Sequence, residues 1–335
     1  MPWYNIRASQ YGSIIVNGYA YPFINQGTLE QWMPDLTYVS SFSYGFTPQG
    51  DLIQPNDARV LQTAREHGVQ ALLVLTPLNE QGQFSNELAS QVLNNPEARN
   101  RLIENLYQTV NTKDFYGVDF DFEFVNREDA DEYVALVRDT AARLNPEGFI
   151  VTVALAPKTY TEQPGLLYGG HDYAGMGQAA NLVLLMTYEW GYTYGPPMAV
   201  APINKVREVL DYGVTQINPS KILMGIPNYG YDWTLPFVRG ESRAETISNV
   251  EAPARAARYG VPIQFDEVAQ SPFFTYVDEQ GRQHEVWFED ARSMRAKLEL
   301  INEYGLAGIS IWTIMNPFPS GQEVLRELFT VAKVE

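Results

Sequence analysis

Asp119, Asp121 and Glu123 alternate with apolar residues in the stretch Tyr116-Gly117-Val118-Asp119-Phe120-Asp121-Phe122-Glu123. In a strand, side chains two apart share a face. The three acids then line one side, ~6–7 Å apart along the backbone, and Val118, Phe120 and Phe122 line the other. Carboxylates this close repel when all are ionised, so each raises the proton affinity of its neighbours. A carboxyl that keeps its proton near neutral pH can act as a general acid. Two plainer readings compete, a divalent-cation site and a solvated edge strand. The apolar flank argues against an edge strand exposed to water. His67, His171 and His284 are scattered and none pairs at ligand spacing, so neither a zinc site nor any other metal or cofactor is expected.

The elements that must hold these acids are short apolar runs alternating with amphipathic segments, the pattern of repeated βα units. Strands are expected near 13–21, 36–46, 69–75, the acidic stretch, 149–156, 182–188, 222–227 and 308–313. Helices are expected at 28–33, 57–67, 87–110, 127–144, 202–212, 289–304 and 323–331. Asn145-Pro146 stops the fourth of these and Gly305 the sixth. Eight strands, most followed by a helix, imply a (β/α)8 TIM barrel in a single catalytic domain spanning 1–335. The connection between strands seven and eight is too long for one helix. Residues 233–289 read as a small α+β insertion, with a helical piece at 253–259 and strands at 273–277 and 285–288 around a turn at 278–281. In such barrels the working residues sit at the C-terminal strand ends, where Glu123 falls.

The acidic stretch resembles the signature of glycoside hydrolase family 18, Asp-Gly-x-Asp-x-Asp-x-Glu on the fourth barrel strand. Gly117, Asp119, Asp121 and Glu123 match, and Tyr116 stands where the first Asp would be. Met186-Thr187-Tyr188-Glu189-Trp190 resembles the family's sixth strand, Met-x-Tyr-Asp, with Glu189 replacing the Asp. Gly225-Ile226-Pro227-Asn228-Tyr229-Gly230 resembles its seventh, and Gly308-Ile309-Ser310-Ile311-Trp312 its eighth.

The resemblance implies retaining, substrate-assisted hydrolysis, in which the substrate's own 2-acetamido oxygen attacks C1 and forms an oxazolinium ion. Glu123 would protonate the leaving oxygen and then activate water. Asp121 would orient the acetamido group and balance its developing charge, with Asp119 tuning Asp121. Tyr188 would hold the acetamido oxygen, and Trp312 would floor the sugar-cleaving subsite. Tyr229, Glu189, Trp190 and Tyr19 are further candidate sugar contacts, with Asn228 and Trp233 as loop supports. The substrate is then a polysaccharide containing N-acetylglucosamine. Ala154-Leu155-Ala156-Pro157-Lys158, the run 186–202, the run 227–233 and Pro317-Phe318-Pro319 resemble the bacterial spore-cortex-lytic N-acetylglucosaminidases. That resemblance points to peptidoglycan and to an extracellular, spore-coat or cortex setting. The LysM modules that such enzymes often carry are not visible in this chain.

Composition bounds the alternatives. A net charge of -17 speaks against nucleic acid or an anionic membrane as a bulk-charge partner. There is no cysteine, hence no disulfide framework. No apolar run is long enough to span a membrane, and the start, Met1 to Arg7, has no signal-peptide core. An aromatic content of 13% suits sugar stacking and core filling alike. Beside the cortex reading stand a chitinase or chito-oligosaccharide hydrolase, a silent sugar-binding protein and a structural coat protein. The acid at Glu123 speaks against the silent lectin, and coat assembly gives no reason for three acids on one face.

Overall fold

A computed structural model describes residues 10–334; the stretch read above for a leader, 1–7, lies outside them. Eight parallel strands form the barrel: β1 (Ser13–Ala20), β2 (Tyr38–Phe46), β3 (Gln70–Leu75), β4 (Gly117–Phe120), β5 (Ile150–Leu155), β6 (Leu182–Leu185), β7 (Ile222–Pro227) and β8 (Gly308–Trp312). Each pairs with its sequence neighbour. β8 closes on β1, with Ile15 opposite Gly308. Strands covered by helices on one side and packed barrel on the other are buried on both faces. That is why β3 and β5 read as nearly unbroken apolar runs.

The barrel's interior is polar for its depth. Asn17 donates to Ser310 and accepts from Ser40, both at 2.9 Å, tying β1, β2 and β8 together inside the barrel. Thr152 on β5 lies in register with Asp119 on β4 and donates to it. Val118 and Phe120 are fully buried on the side away from these polar groups.

Local structure departs from the sequence reading in several places, including an unexpected helix at Tyr173–Ala179 and an inserted sheet that begins at Gly230 rather than 233. The helix expected at 87–110 is two helices, Asn86–Leu93 and Pro96–Lys113. Pro96 has no N–H to continue a helix and holds Asn95 extended, and the Asn95 side chain caps the second helix. The closing helix begins at Pro319 and ends at Leu328, and Thr330–Val331 is a strand beside Ser13–Ile14. The acidic strand stops at Phe120, opposite Leu75, the last residue of β3, although β5 on its other side runs two residues beyond the last pair.

Between β7 and β8 the chain builds a second, antiparallel sheet of five strands, ordered Glu245–Ile247, Gly230–Thr234, Gln283–Trp287, Ser271–Val277 and Gln264–Asp266. The helix Glu251–Tyr259 packs on it through Ala252 and Ala256, against Phe274 and Val286. Buried Asp232 anchors this unit, accepting from Tyr276 at 2.5 Å, Arg255 at 2.6 Å and His284 Nδ1 at 2.7 Å.

Candidate active site

All nine residues singled out in the sequence stand at or just beyond the C-terminal strand ends. Asp119 is on β4, and Asp121 and Glu123 follow it. The expectation of three acids along one strand needs correction. Asp119 and Asp121 are buried in the barrel mouth, whereas Glu123 lies past the strand and is exposed.

Each acid meets a different environment. Asp119 accepts from the Tyr19 hydroxyl at 2.5 Å and from Thr152. Burial lifts its pKa to about 6, and these two hydrogen bonds restrain the rise. Asp121 is raised well above the ordinary carboxylate range, by burial first and then by the charges of Glu123 and Asp119. One of its oxygens, Oδ1, is buried with no hydrogen-bond partner among the described residues. A buried carboxyl oxygen left bare is costly unless a ligand completes it. Glu123 is open to solvent, yet the protein crowded round it lifts its pKa, and the nearby Glu189 carboxylate adds to the lift.

Glu189 follows β6 and its own pKa is raised by burial. Its Oε1 accepts from Tyr229 at 2.5 Å and from Tyr231 at 2.8 Å, which offsets part of that rise. Its backbone is left-handed, with φ 69°. For a residue with a Cβ this conformation costs about 1–3 kcal/mol and persists where surroundings impose it. Tyr188 is buried beside Gly225, where an added Cβ would lie 2.7 Å from the tyrosine ring. A side chain on β7 at this point would displace Tyr188, so glycine is required there.

Three cavities meet at these residues. One of about 350 Å³ is lined by Tyr21, Phe42, Phe84, Asp121, Glu123 and Trp312. A second, about 490 Å³, has Glu123, Tyr168, Tyr188, Glu189 and Trp190 in its walls. A third, about 300 Å³, is bounded by Glu189, Tyr229, Tyr231 and Trp312. Glu123, Glu189 and Trp312 each line two of the three, so the cavities are neighbours at the barrel mouth. Trp312 packs edge-on against Phe42 at 5.0 Å and Tyr19 at 5.2 Å. Asn228 steadies it, donating to the carbonyls of Thr313 and Asn316, each at 2.9 Å. Trp233 donates to the Gly195 carbonyl at 2.8 Å and so pins the loop that follows Trp190.

The arrangement can protonate a leaving group from Glu123, stack a ring on Trp312 and present an unpaired carboxyl oxygen at Asp121 to a donor on the substrate. Sequence reasoning missed Tyr231, Thr152, Tyr133 and His171. Tyr231 sits two residues from Tyr229 and carries the only local signal. His171 read as a scattered histidine and Tyr133 drew no reading of its own, and only the fold brings them to Phe122.

The model for glycosyl hydrolases family 18 matches residues 37–316. The chain is 43% identical over 301 residues to the cortical fragment-lytic enzyme of Bacillus anthracis, covering 90% of this chain and 70% of that protein. The crystal structure of the Bacillus cereus spore cortex-lytic enzyme SleL superposes with a TM-score of 0.93 at 40% identity, over 98% of this chain and 76% of that one. A chitinase from Chromobacterium violaceum superposes with a TM-score of 0.87 at 25% identity, over 94% and 98%. The chain is a glycosidase that belongs to family 18 of the glycosyl hydrolases.

Proposed function

We propose that this enzyme hydrolyses N-acetylglucosamine-containing glycan of spore cortex peptidoglycan, with retention and with the substrate's acetamido group as nucleophile. Glu123 is the acid that protonates the leaving oxygen and then the base that activates water. Asp121 receives the acetamido N–H and balances the charge on the oxazolinium ion, and Asp119 sustains Asp121 from below. Tyr188 holds the acetamido group from the β6 side. Trp312, Tyr229, Glu189 and Trp190 contact the sugar, whereas Tyr19 serves it indirectly through Asp119. The single observation that carries this reading is the bare, buried Oδ1 of Asp121 beside Glu123 in an aromatic cleft. An amide N–H on the substrate satisfies that oxygen, and an ordinary sugar hydroxyl at C2 leaves the reaction without its nucleophile.

The choice of cortex rests on the cortex-lytic relatives at 40–43% identity, against 25% for the bacterial chitinase. Incubating the enzyme with purified cortex fragments and, separately, with chitin oligomers tests it by mass spectrometry. Products from cortex with a new N-acetylglucosamine reducing end are expected. Cleavage of chitin oligomers alone reverses the assignment to the chitinase reading.

A further inference from the structure

The segment that carries Glu123 leaves the sheet before reaching it. The last sheet bond is the Asp121 N–H donating to the Leu75 carbonyl at 3.0 Å. From Phe122 onward the barrel supplies no backbone partner, and side chains take over. The Phe122 N–H donates to the Tyr133 hydroxyl at 3.3 Å, and the two rings stack at 4.9 Å. The Phe122 carbonyl accepts from His171 Nε2 at 2.7 Å.

His171 is fully buried and its tautomer is fixed by backbone chemistry. The Ala156 N–H can only donate, and it meets Nδ1 at 2.8 Å. Nδ1 therefore carries the lone pair and Nε2 the proton. One neutral imidazole thus joins the end of β5 to the peptide just before Glu123. Burial pushes its pKa down to about 4, so it remains neutral over the ordinary working range.

The loop is shaped to deliver this ring. A Cβ on Gly170 would lie 2.4 Å from the Val125 carbonyl oxygen, and one on Gly169 would lie 3.1 Å from Arg127 Cβ. Gly170 is needed for the loop to press on the chain that follows Glu123, whereas at Gly169 a shift of a few tenths of an ångström would make room. Lys158 Nζ donates to the His171 carbonyl at 2.9 Å, and the Tyr173 hydroxyl donates to the Ala156 carbonyl at 2.6 Å.

We propose that His171 is a positioning residue for Glu123: by holding the Phe122 carbonyl, it sets the direction in which the Glu123 carboxyl enters the cleft. The proposal rests on the reading of Glu123 as the acid. It predicts a defect in proton delivery, which packing alone does not.

The test compares kcat/KM for two substrates in the wild type, His171→Leu, His171→Gln and Glu123→Gln. One is an N-acetylglucosamine oligosaccharide, whose leaving group needs a proton. The other is a dinitrophenyl N-acetylglucosaminide, whose leaving group does not. His171→Leu should lose on the order of 10²-fold on the oligosaccharide, mainly in kcat, and far less on the aryl glycoside. His171→Gln, which restores an N–H donor near the Nε2 position, should recover most of the rate. Equal losses on both substrates, or no recovery in His171→Gln, would make His171 a packing residue and overturn the proposal. Should His171→Leu fail to fold, Gly170→Ala displaces the same loop. The same leaving-group dependence then supports the proposal, and equal losses or none overturn it. If Glu123→Gln itself lacks leaving-group dependence, the acid assignment falls and the positioning proposal with it. If Glu123→Gln shows the dependence and His171→Leu does not, only the positioning proposal falls.

Discussion

The Tyr19 hydroxyl donates to the Asp119 carboxylate at 2.5 Å, joining β1 to β4 through the barrel interior. The two strands are not neighbours in the sheet, so this contact braces the mouth across its width. Hydrogen bonds to a charged group contribute about 1.5–3 kcal/mol. Tyr19→Phe should therefore destabilise the fold by about that much at pH 8, where Asp119 is ionised. The loss should shrink at pH 5, where Asp119 holds its proton. Denaturant unfolding at the two pH values checks this, and an equal loss at both would remove Asp119 ionisation from the explanation.

Glu123→Gln should keep the fold and bind sugar while losing ~10²–10⁴ in turnover, the usual contribution of general acid catalysis. Hydrolysis of an unactivated glycan is the appropriate assay. Near-normal turnover would mean that another group delivers the proton.

Asp121→Asn separates orientation from charge. If Asp121 only raised the proton affinity of Glu123, the asparagine would slide the basic limb of the pH–rate profile downward at full height. If it also balances the oxazolinium charge, the maximum rate falls at every pH, by an amount corresponding to about 2.7–4 kcal/mol. Both effects are expected, with the loss of maximum rate the larger. A profile that merely slides would leave Asp121 as a tuner and weaken the substrate-assisted route.

The buried acids also set how stability follows pH. Asp119 titrates near 6 in the fold and near its ordinary 3.8 when unfolded, so the native state binds more protons between those values. Stability from this group rises as pH falls through 6, by up to about 3 kcal/mol. His171 works the other way, being about 4 in the fold against 6.5 unfolded, and loses stability over nearly the same window. These two roughly cancel. Asp121, Glu123 and Glu189 are all raised as well, and they decide the sign. The melting temperature should climb as pH is lowered from about 7.5 to about 5. Calorimetry across that range would contradict the account if the melting temperature fell steadily instead.

Tyr231→Phe removes one of the two donors on Glu189 Oε1. Glu189 then gains protons more readily, and its charge no longer lifts Glu123 as strongly. The basic limb of kcat/KM should shift to lower pH, with the fold intact. An unmoved limb would show that Glu189 does not set the proton affinity of Glu123.

How much of this could be read beforehand follows from where each interaction is made. The barrel strands announce themselves because a strand buried on both faces needs a short apolar run, as in Gln70–Leu75. Asp119, Asp121, Tyr188 and Trp312 could be placed at the barrel mouth because a barrel's working residues sit at the C-terminal strand ends. The end of the acidic strand was not legible, since the residues it pairs with, Leu75 and Val153, are distant in sequence. His171 and Tyr133 escaped for a similar reason. Each holds a backbone group of Phe122, and a contact with backbone leaves no trace in the identity of the residue contacted. The break at Asn95 was readable from Pro96, but a continuous apolar period across 87–110 masked it.

Tyr231 belongs to two structures at once. It is the second residue of Gly230–Thr234, a strand of the five-stranded sheet, and it donates to Glu189 at the barrel mouth. The inserted unit is therefore no detachable ornament. A chimera that exchanged it for another relative's version would import or delete a proton donor of the cleft along with the wall. If Tyr231→Phe moves the basic limb as expected, a change in that sheet retunes acidity at the mouth without touching any residue on a barrel strand, and the acidic signature stays unchanged.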